Sequence, residues 1–192
     1  MRINKSYTSA AADADGLGNN VTGATFTLTA SDAGDSLAHK ITVLNNTATD
    51  HTGKTVTIVG TGPDGGALTE VLTGPNNAAT VTTTGYFLTV TSATPSATIG
   101  ADTFDIGWAA AAATPSLNIH SHALTNPALG ISVDATGTPA YSLQQNYGGD
   151  WFAHAAIVTK TASADGSILF PVMAIRLIFT AASTVALNVV GH

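Results

Sequence analysis

Apolar and polar residues alternate along most of the chain with a period of two, and amphipathic helical periodicity is almost absent. Residues 25–30 read T-F-T-L-T-A, residues 40–44 read K-I-T-V-L, and residues 54–59 read K-T-V-T-I-V. In each, one face gathers Phe, Ile, Val or Leu and the other mainly Thr or Lys, the pattern of a half-buried antiparallel strand. Further strands are predicted over 68–72, 86–91 and 103–108, then over 117–122, 130–135, 140–146, 155–160, 168–170, 174–180 and 185–190. Ile175, Leu177 and Phe179 share one face of their strand, with Arg176 and Ile178 on the other. Val185, Leu187 and Val189 repeat that pattern in the last strand.

Turn chemistry separates these runs. Thr61-Gly62-Pro63-Asp64-Gly65-Gly66 offers Pro to fix φ and Gly to reach positive φ, so it should reverse the chain between two strands. Thr73-Gly74-Pro75-Asn76-Asn77 is expected to do the same one strand later, and Asp165-Gly166 reads as a hairpin turn. After Trp108, the run Ala109 to Ala113 and then Thr114-Pro115 break the pattern, and Pro115 favours an extended exit. Residues 1–22 are small and polar with little to bury. The predicted fold is therefore all-β: two small antiparallel β-sandwich or jelly-roll-like units in tandem with an extended N-terminal arm. Its boundaries are an arm over 1–22, a first β domain over 23–108, an Ala-rich linker over 109–115 and a second β domain over 116–192. No period of 20–50 residues repeats, so the chain is not a solenoid.

Composition changes this picture in one respect. Charged residues make up 9% of the 192, against roughly 25% in an ordinary domain, while 44% are hydrophobic and mean hydropathy is +0.25. What is missing is surface charge, with Thr, Ser, Asn, Ala and Gly standing where Lys and Glu usually stand. Such a surface suits a protein packed against neighbours. The plainer alternative is a robust extracellular domain whose Thr-rich strands are good sheet formers. Six cations against twelve acids give a net charge of −6. The cations are scattered singly at Arg2, Lys5, Lys40, Lys54, Lys160 and Arg176, which argues against a nucleic-acid partner. With no cysteine, neither disulfides nor thiolate metal sites hold the fold. The first seven residues lack the apolar core of a signal peptide, and no apolar run approaches the roughly 20 residues that span a bilayer. Synthesis in a cytoplasm and no membrane partner are the expectations.

Three local features carry candidate chemistry. His120-Ser121-His122 on a strand projects two imidazoles to one face, about 7 Å apart, with His154 and Asp150 as candidate third ligands of a metal. The alternative makes both histidines ordinary hydrogen-bond partners, and it is preferred because no third ligand has a diagnostic spacing. Asp13-Ala14-Asp15-Gly16 resembles the opening of a calcium loop whose closing bidentate Glu is missing. Tyr147, Trp151 and Phe152 form an aromatic cluster, read as a core or interface plug in preference to a stacking platform for a glycan or receptor. One glutamate, no G-x-S-x-G elbow and no G-K-[ST] phosphate loop leave no catalytic assignment and no cofactor.

Two stretches resemble virion proteins of tailed bacteriophages. The first holds K-T-V-T-I-V-G-T-G-P-D-G-G-A-L-T-E-V-L-T-G-P-N, then G-Y-F-L-T-V-T-S-A and D-I-G-W, between residues 54 and 108. The second holds G-I-S-V-D-A-T-G-T-P-A-Y-S-L-Q-Q-N, D-W-F-A-H and F-P-V-M-A-I-R-L-I-F-T, between residues 130 and 190. These motifs consist of turns and core residues, so they mark an architecture more than a role. The resemblance implies a non-enzymatic virion component on the capsid surface: a cement or decoration protein that bridges major capsid proteins and forms a homotrimer. It extends also to head fibres and tail-associated adsorption modules that bind host glycan or receptor.

Overall fold

In a computed structural model of the chain, residues 2–119 and 128–191 are described. The fold is all-β and sandwich-like, with antiparallel sheets and no helix among the described residues. The chain divides into two compact units. One, the central unit, is residues 11–112; the other, the terminal unit, joins residues 1–10 to residues 113–192.

The strands are numbered along the chain, and β1 (Arg2–Thr8) belongs to the terminal unit. The central unit contains β2 (Asp13–Val21), β3 (Ala38–Asn45), β4 (Thr55–Thr61), β5 (Ala67–Thr73), β6 (Thr80–Thr82), β7 (Thr89–Pro95) and β8 (Phe104–Ala113). One sheet has the order β5-β4-β7; in the other, β3 lies between β8 and β6, and β2 pairs with β8. Alternation fills the space between them: Ile41 and Val43 from β3, Val56 and Ile58 from β4, and Phe104 and Ile106 from β8 share one buried cluster. The Gly62–Gly66 turn closes the β4–β5 hairpin as predicted, with Gly62 N–H donating to Gly66 O at 2.8 Å and Gly65 at φ +79°.

Three expectations in this unit need correction. Residues 25–30 bury Phe26 and pack Leu28 on the core, yet they are not a strand. Thr29 and Ala30 both donate to the single carbonyl of Leu17, and two donors on one acceptor cannot propagate a ladder. Residues 86–88 precede the strand proper: Phe87 bridges His39 and Leu88 N–H donates to Thr61 O, so the chain changes sheets there before β7 begins. Residues 73–77 likewise carry the chain from one sheet to the other rather than reversing it between neighbours.

The terminal unit contains β9 (Leu117–Asn118), β10 (Leu129–Thr136), β11 (Tyr141–Asn146), β12 (Trp151–Ala153), β13 (Ala164–Ile168), β14 (Ala174–Phe179) and β15 (Thr184–Gly191). One sheet has the order β1-β15-β10-β13, and the other joins β12, β11 and β14, with β9 added to β14. Leu129, Ile131 and Val133 of β10, Val185, Leu187 and Val189 of β15, and Ile175, Leu177 and Phe179 of β14 are all buried.

Here the expected arm and linker are corrected. Residues 2–8 are an edge strand in register with β15, from Arg2 opposite Val190 to Thr8 opposite Thr184, and residues 13–21 are β2. Their polar side chains misled because an edge strand is held by backbone hydrogen bonds more than by buried bulk. The alanines at 109–113 are the end of β8, where Ala112 and Ala113 are fully buried and a bare methyl suits a crowded position. Residues 155–160 are a turn region that plugs Ile157 into the interior instead of a strand. The predicted strand at 168–170 gives way to β13, which ends at Ile168. Asp165-Gly166 is no turn, since Gly166 lies within β13 opposite Ile131. The part of the predicted 117–122 strand from His120 onward lies outside the described residues.

Candidate functional site

Three places bring chemistry-bearing residues together. The first is the outer face of the β5-β4-β7 sheet. Register puts Thr55, Thr57, Val59 and Thr61 of β4 beside Thr73, Val71, Thr69 and Ala67 of β5. Thr94, Ser92 and Thr89 of β7 flank them on the other side. None of these side chains is buried. The one ionisable residue in the three strands, Glu70, sits on the inward register opposite Ile58. Its carboxylate accepts from Thr84 N–H at 2.6 Å and Gly85 N–H at 2.9 Å. The outer face is thus a Thr and Val surface without an ionised group. It can be dehydrated without stripping water from a charge.

The second place is a pair of buried histidines in the central unit. His51 Nδ1 faces the Lys54 ammonium at 3.2 Å, a group that only donates, so Nε2 carries the proton and donates to Asp102 Oδ2 at 2.9 Å. Desolvation opposes the charged Asp102 carboxylate, but hydrogen bonds from Thr49, His51 and Thr47 outweigh it and hold its pKa below the usual range. This looks like part of a catalytic relay, but a lysine stands where a nucleophilic hydroxyl would be needed. The network fastens the 47–54 loop at the start of β8.

His39 differs. Its Nδ1 lies 2.9 Å from Ala109 O and its Nε2 lies 2.8 Å from Asp35 Oδ2. Both partners only accept, so both ring nitrogens donate and the buried ring is an imidazolium. Burial works against that charge, but the Asp35 hydrogen bond, the Ala109 carbonyl and the Asp35 charge outweigh it and raise the pKa above the ordinary histidine value. A raised folded-state pKa gives stability that is complete below the unfolded value of about 6.5 and is lost as pH rises through the folded value. The urea midpoint of the central unit, followed by Trp108 fluorescence, is therefore expected to fall between pH 6 and pH 9. His39→Gln should flatten that dependence, and an equally steep profile in the variant would contradict this assignment.

The third place is in the terminal unit, around the predicted aromatic cluster. Tyr147 (44% exposed) and Phe152 (53% exposed) come together, with ring centroids 6.1 Å apart and planes at 45°. One face of Trp151 is covered, because the Arg176 guanidinium lies 4.2 Å from its ring centroid. Arg176 is held there by its Nε donating to Gln144 Oε1 at 2.8 Å. Sequence reasoning missed Leu169 and Phe170, each 66% exposed in the loop after β13. Beside them lies a cavity of about 300 Å³ lined by Gln145, Tyr147, His154, Ser167, Leu169 and Phe170, among others.

His154, which the sequence offers only as a third metal ligand, is 6% exposed. Its backbone N–H donates to Leu143 O, and its ring Nε2 lies 3.1 Å from Ser167 O. A carbonyl only accepts, so Nε2 donates to it, while the buried Nδ1 has no hydrogen-bond partner among the described residues. Leaving a buried polar atom unpaired costs about 1–3 kcal/mol. Gly166 is required by the same ring, since a Cβ there would lie 2.9 Å from His154 Cε1. The sequence signal was present in Asp165-Gly166, but its glycine makes room for an imidazole instead of a turn.

The remaining candidates are dispersed. His120 and His122 lie outside the described residues. Asp150 is exposed, and among the described residues no three His, Cys, Asp or Glu side chains gather as a metal site. Asp13 and Asp15 lie on β2, where Asp13 Oδ1 accepts from Asp15 N–H and the Asp15 carboxylate accepts from Asn19 Nδ2. That amide contact, the largest influence, lowers the Asp15 pKa. Compared with known proteins, the chain matches no family model and no curated protein.

Proposed function

We propose that the chain is a non-enzymatic structural protein of a tailed-bacteriophage particle, a cement or decoration protein that docks on the assembled head and bridges major capsid proteins. The observation that carries this reading is the outer face of the β5-β4-β7 sheet, exposed, rich in Thr and Val and free of ionised side chains. A face of that kind is cheap to dehydrate, and its hydroxyls can satisfy hydrogen bonds with a facing backbone. Strand β5 adds an open edge with Val71 exposed. Such edges pair readily with a neighbouring chain. The turn and core motifs that resemble phage virion modules support the same reading, as does the low charge of the whole chain. The mechanism is mechanical: repeated contacts of about 1,600 Å² each, multiplied by avidity, reinforce the shell without any chemical step.

The test places charge at the centre of the face. Thr57→Lys with Val59→Lys should leave the chain folded, because both side chains are solvent-accessible. It should cut occupancy on particles at least tenfold, read by cryo-EM reconstruction with and without the chain. Density at symmetry-related sites on the head for the unaltered chain, lost in the variant, is the expected result. Undiminished occupancy of the charged variant would sink the proposed docking face, and density confined to the tail would sink the cement role.

A further inference from the structure

We infer that an apolar patch of the terminal unit is a self-association surface, covered by a second copy of this chain across a two-fold axis. It is distinct from the sheet face on which the virion role rests. Eight large apolar side chains are exposed among the described residues, and five of them gather here: Tyr147, Phe152, Leu169, Phe170 and Met173. Tyr147 and Phe152 lie ring to ring, and Tyr147 borders the same cavity as Leu169 and Phe170. Met173 joins them beside the turn after β11: its N–H donates to Asn146 O, and a Cβ on Gly148 would lie 3.0 Å from its Sδ. The loop after β13 is docked, because Ile168 and Val172 are buried on either side of Leu169 and Phe170. Leu169 and Phe170 are therefore turned outward by a backbone that is anchored at both ends.

Area and composition select the occupant. At about 200 Å² for a large side chain, the exposed fractions amount to roughly 500 Å² per copy, so a pair buries about 1,000 Å², the size at which specific interfaces begin. Aromatic side chains and Met without Lys or Glu are the make-up of an interface core, and homodimer interfaces are the more apolar kind. The other three exposed side chains, Val71, Val158 and Val190, are single valines on separate elements. Among the described residues they give a head-to-tail contact no second patch to meet, whereas a two-fold axis lets one patch serve both sides. A lipid surface fits less well. Arg176, the one cation of β11, β12 and β14, is engaged by Trp151 and Gln144, and Asp150 is exposed in the turn, where it would repel anionic headgroups.

The test is sedimentation equilibrium of the full chain, which should show a monomer–dimer equilibrium. Phe170→Asp should raise the dimer Kd at least about tenfold at an unchanged urea midpoint, because the substitution acts twice across the axis. Phe152→Ser, on a different element, should weaken the dimer as well, so the outcome does not hang on one loop. The Thr57→Lys, Val59→Lys double variant should dimerise as the unaltered chain does, which separates this surface from the proposed docking face. A chain that stays monomeric at every concentration overturns the inference, and so does a dimer that both patch variants leave intact. A monomer–trimer equilibrium overturns the two-fold pairing. Loss of particle occupancy in Phe170→Asp, when the unaltered chain is monomeric in solution, would assign the patch to the shell and overturn the inference too.

Discussion

A chain that begins at Ala11 is expected to lose about 3–5 kcal/mol of the stability of its terminal unit and to self-associate. Deletion removes all seven residues of β1, each opposite a residue of β15. It also removes the Ser9 clasp, in which Ser9 N–H donates to Ser183 O at 2.9 Å and Ser183 N–H donates back to Ser9 Oγ at 2.9 Å. At a net of roughly 0.5–1.5 kcal/mol per hydrogen bond, a ladder of this length is a large part of the 5–15 kcal/mol that holds an ordinary domain together. The loss leaves β15, eight residues long and built on Val185, Leu187 and Val189, as an open edge next to solvent. An edge of that length without charge at its centre invites pairing with another copy. Single-tryptophan variants separate the two reporters, Trp108 in the central unit and Trp151 in the terminal one. In urea, the Trp151 transition should move to lower concentration while the Trp108 transition stays in place. An unmoved Trp151 transition is what a loose arm predicts, and it would refute β1 as a structural strand of the terminal unit.

That contrast shows where the sequence was legible. Strands β3, β4, β5, β10, β14 and β15 were readable because each combines apolar residues at alternate positions with β-branched ones, and β11 because Tyr141 and Leu143 alternate with polar residues. Strands β1 and β2 were not, because R-I-N-K-S-Y-T and D-A-D-G-L-G-N-N-V hold little apolar bulk, and what fixes them is a neighbour far away in sequence. Glycine is the most misleading residue. Gly166 has the sequence context of a turn yet lies within a strand, and nothing around Gly107 sets it apart, although a Cβ there would lie 2.0 Å from Asp13 O where β2 crosses β8. The uncharged sheet face was visible in T-V-T-I-V as alternating Thr, although its role emerges only once register sets β5 and β7 beside β4. The aromatic cluster was half legible: sequence proximity joined Tyr147 to Phe152, but only the fold hands Trp151 to Arg176 and brings Phe170 to the cavity.

The same reasoning about close backbone approach yields the second large effect. Gly60→Ala is expected to destabilise the central unit by about 3 kcal/mol or more. A Cβ at residue 60 would lie 1.9 Å from Thr89 O, 2.9 Å from Thr89 C and 3.0 Å from Val90 Cα, so every obstructing atom is backbone. A flexible side chain could swing away; these atoms cannot move without parting the strands. Strand β4 is the middle strand of its sheet, bonded to β5 on one side and β7 on the other, and it cannot retreat from one without straining the other. The contact falls where the β4–β7 register shifts, between Val59 opposite Ser92 and Gly60 opposite Val90. Thr91 is the extra residue of that bulge, and its hydroxyl donates back to Val59 O at 3.0 Å. Gly53→Ala is the control, since a Cβ there meets nothing within 4 Å and its backbone carries no positive φ; it should change stability by no more than about 0.5 kcal/mol. Under the proposed docking role, Gly60→Ala should lower particle occupancy together with the urea midpoint. The Thr57→Lys, Val59→Lys double variant, in contrast, should lower occupancy alone. If Gly60→Ala unfolds at the same urea concentration as the parent chain, β4 and β7 do not approach each other as closely as these distances require.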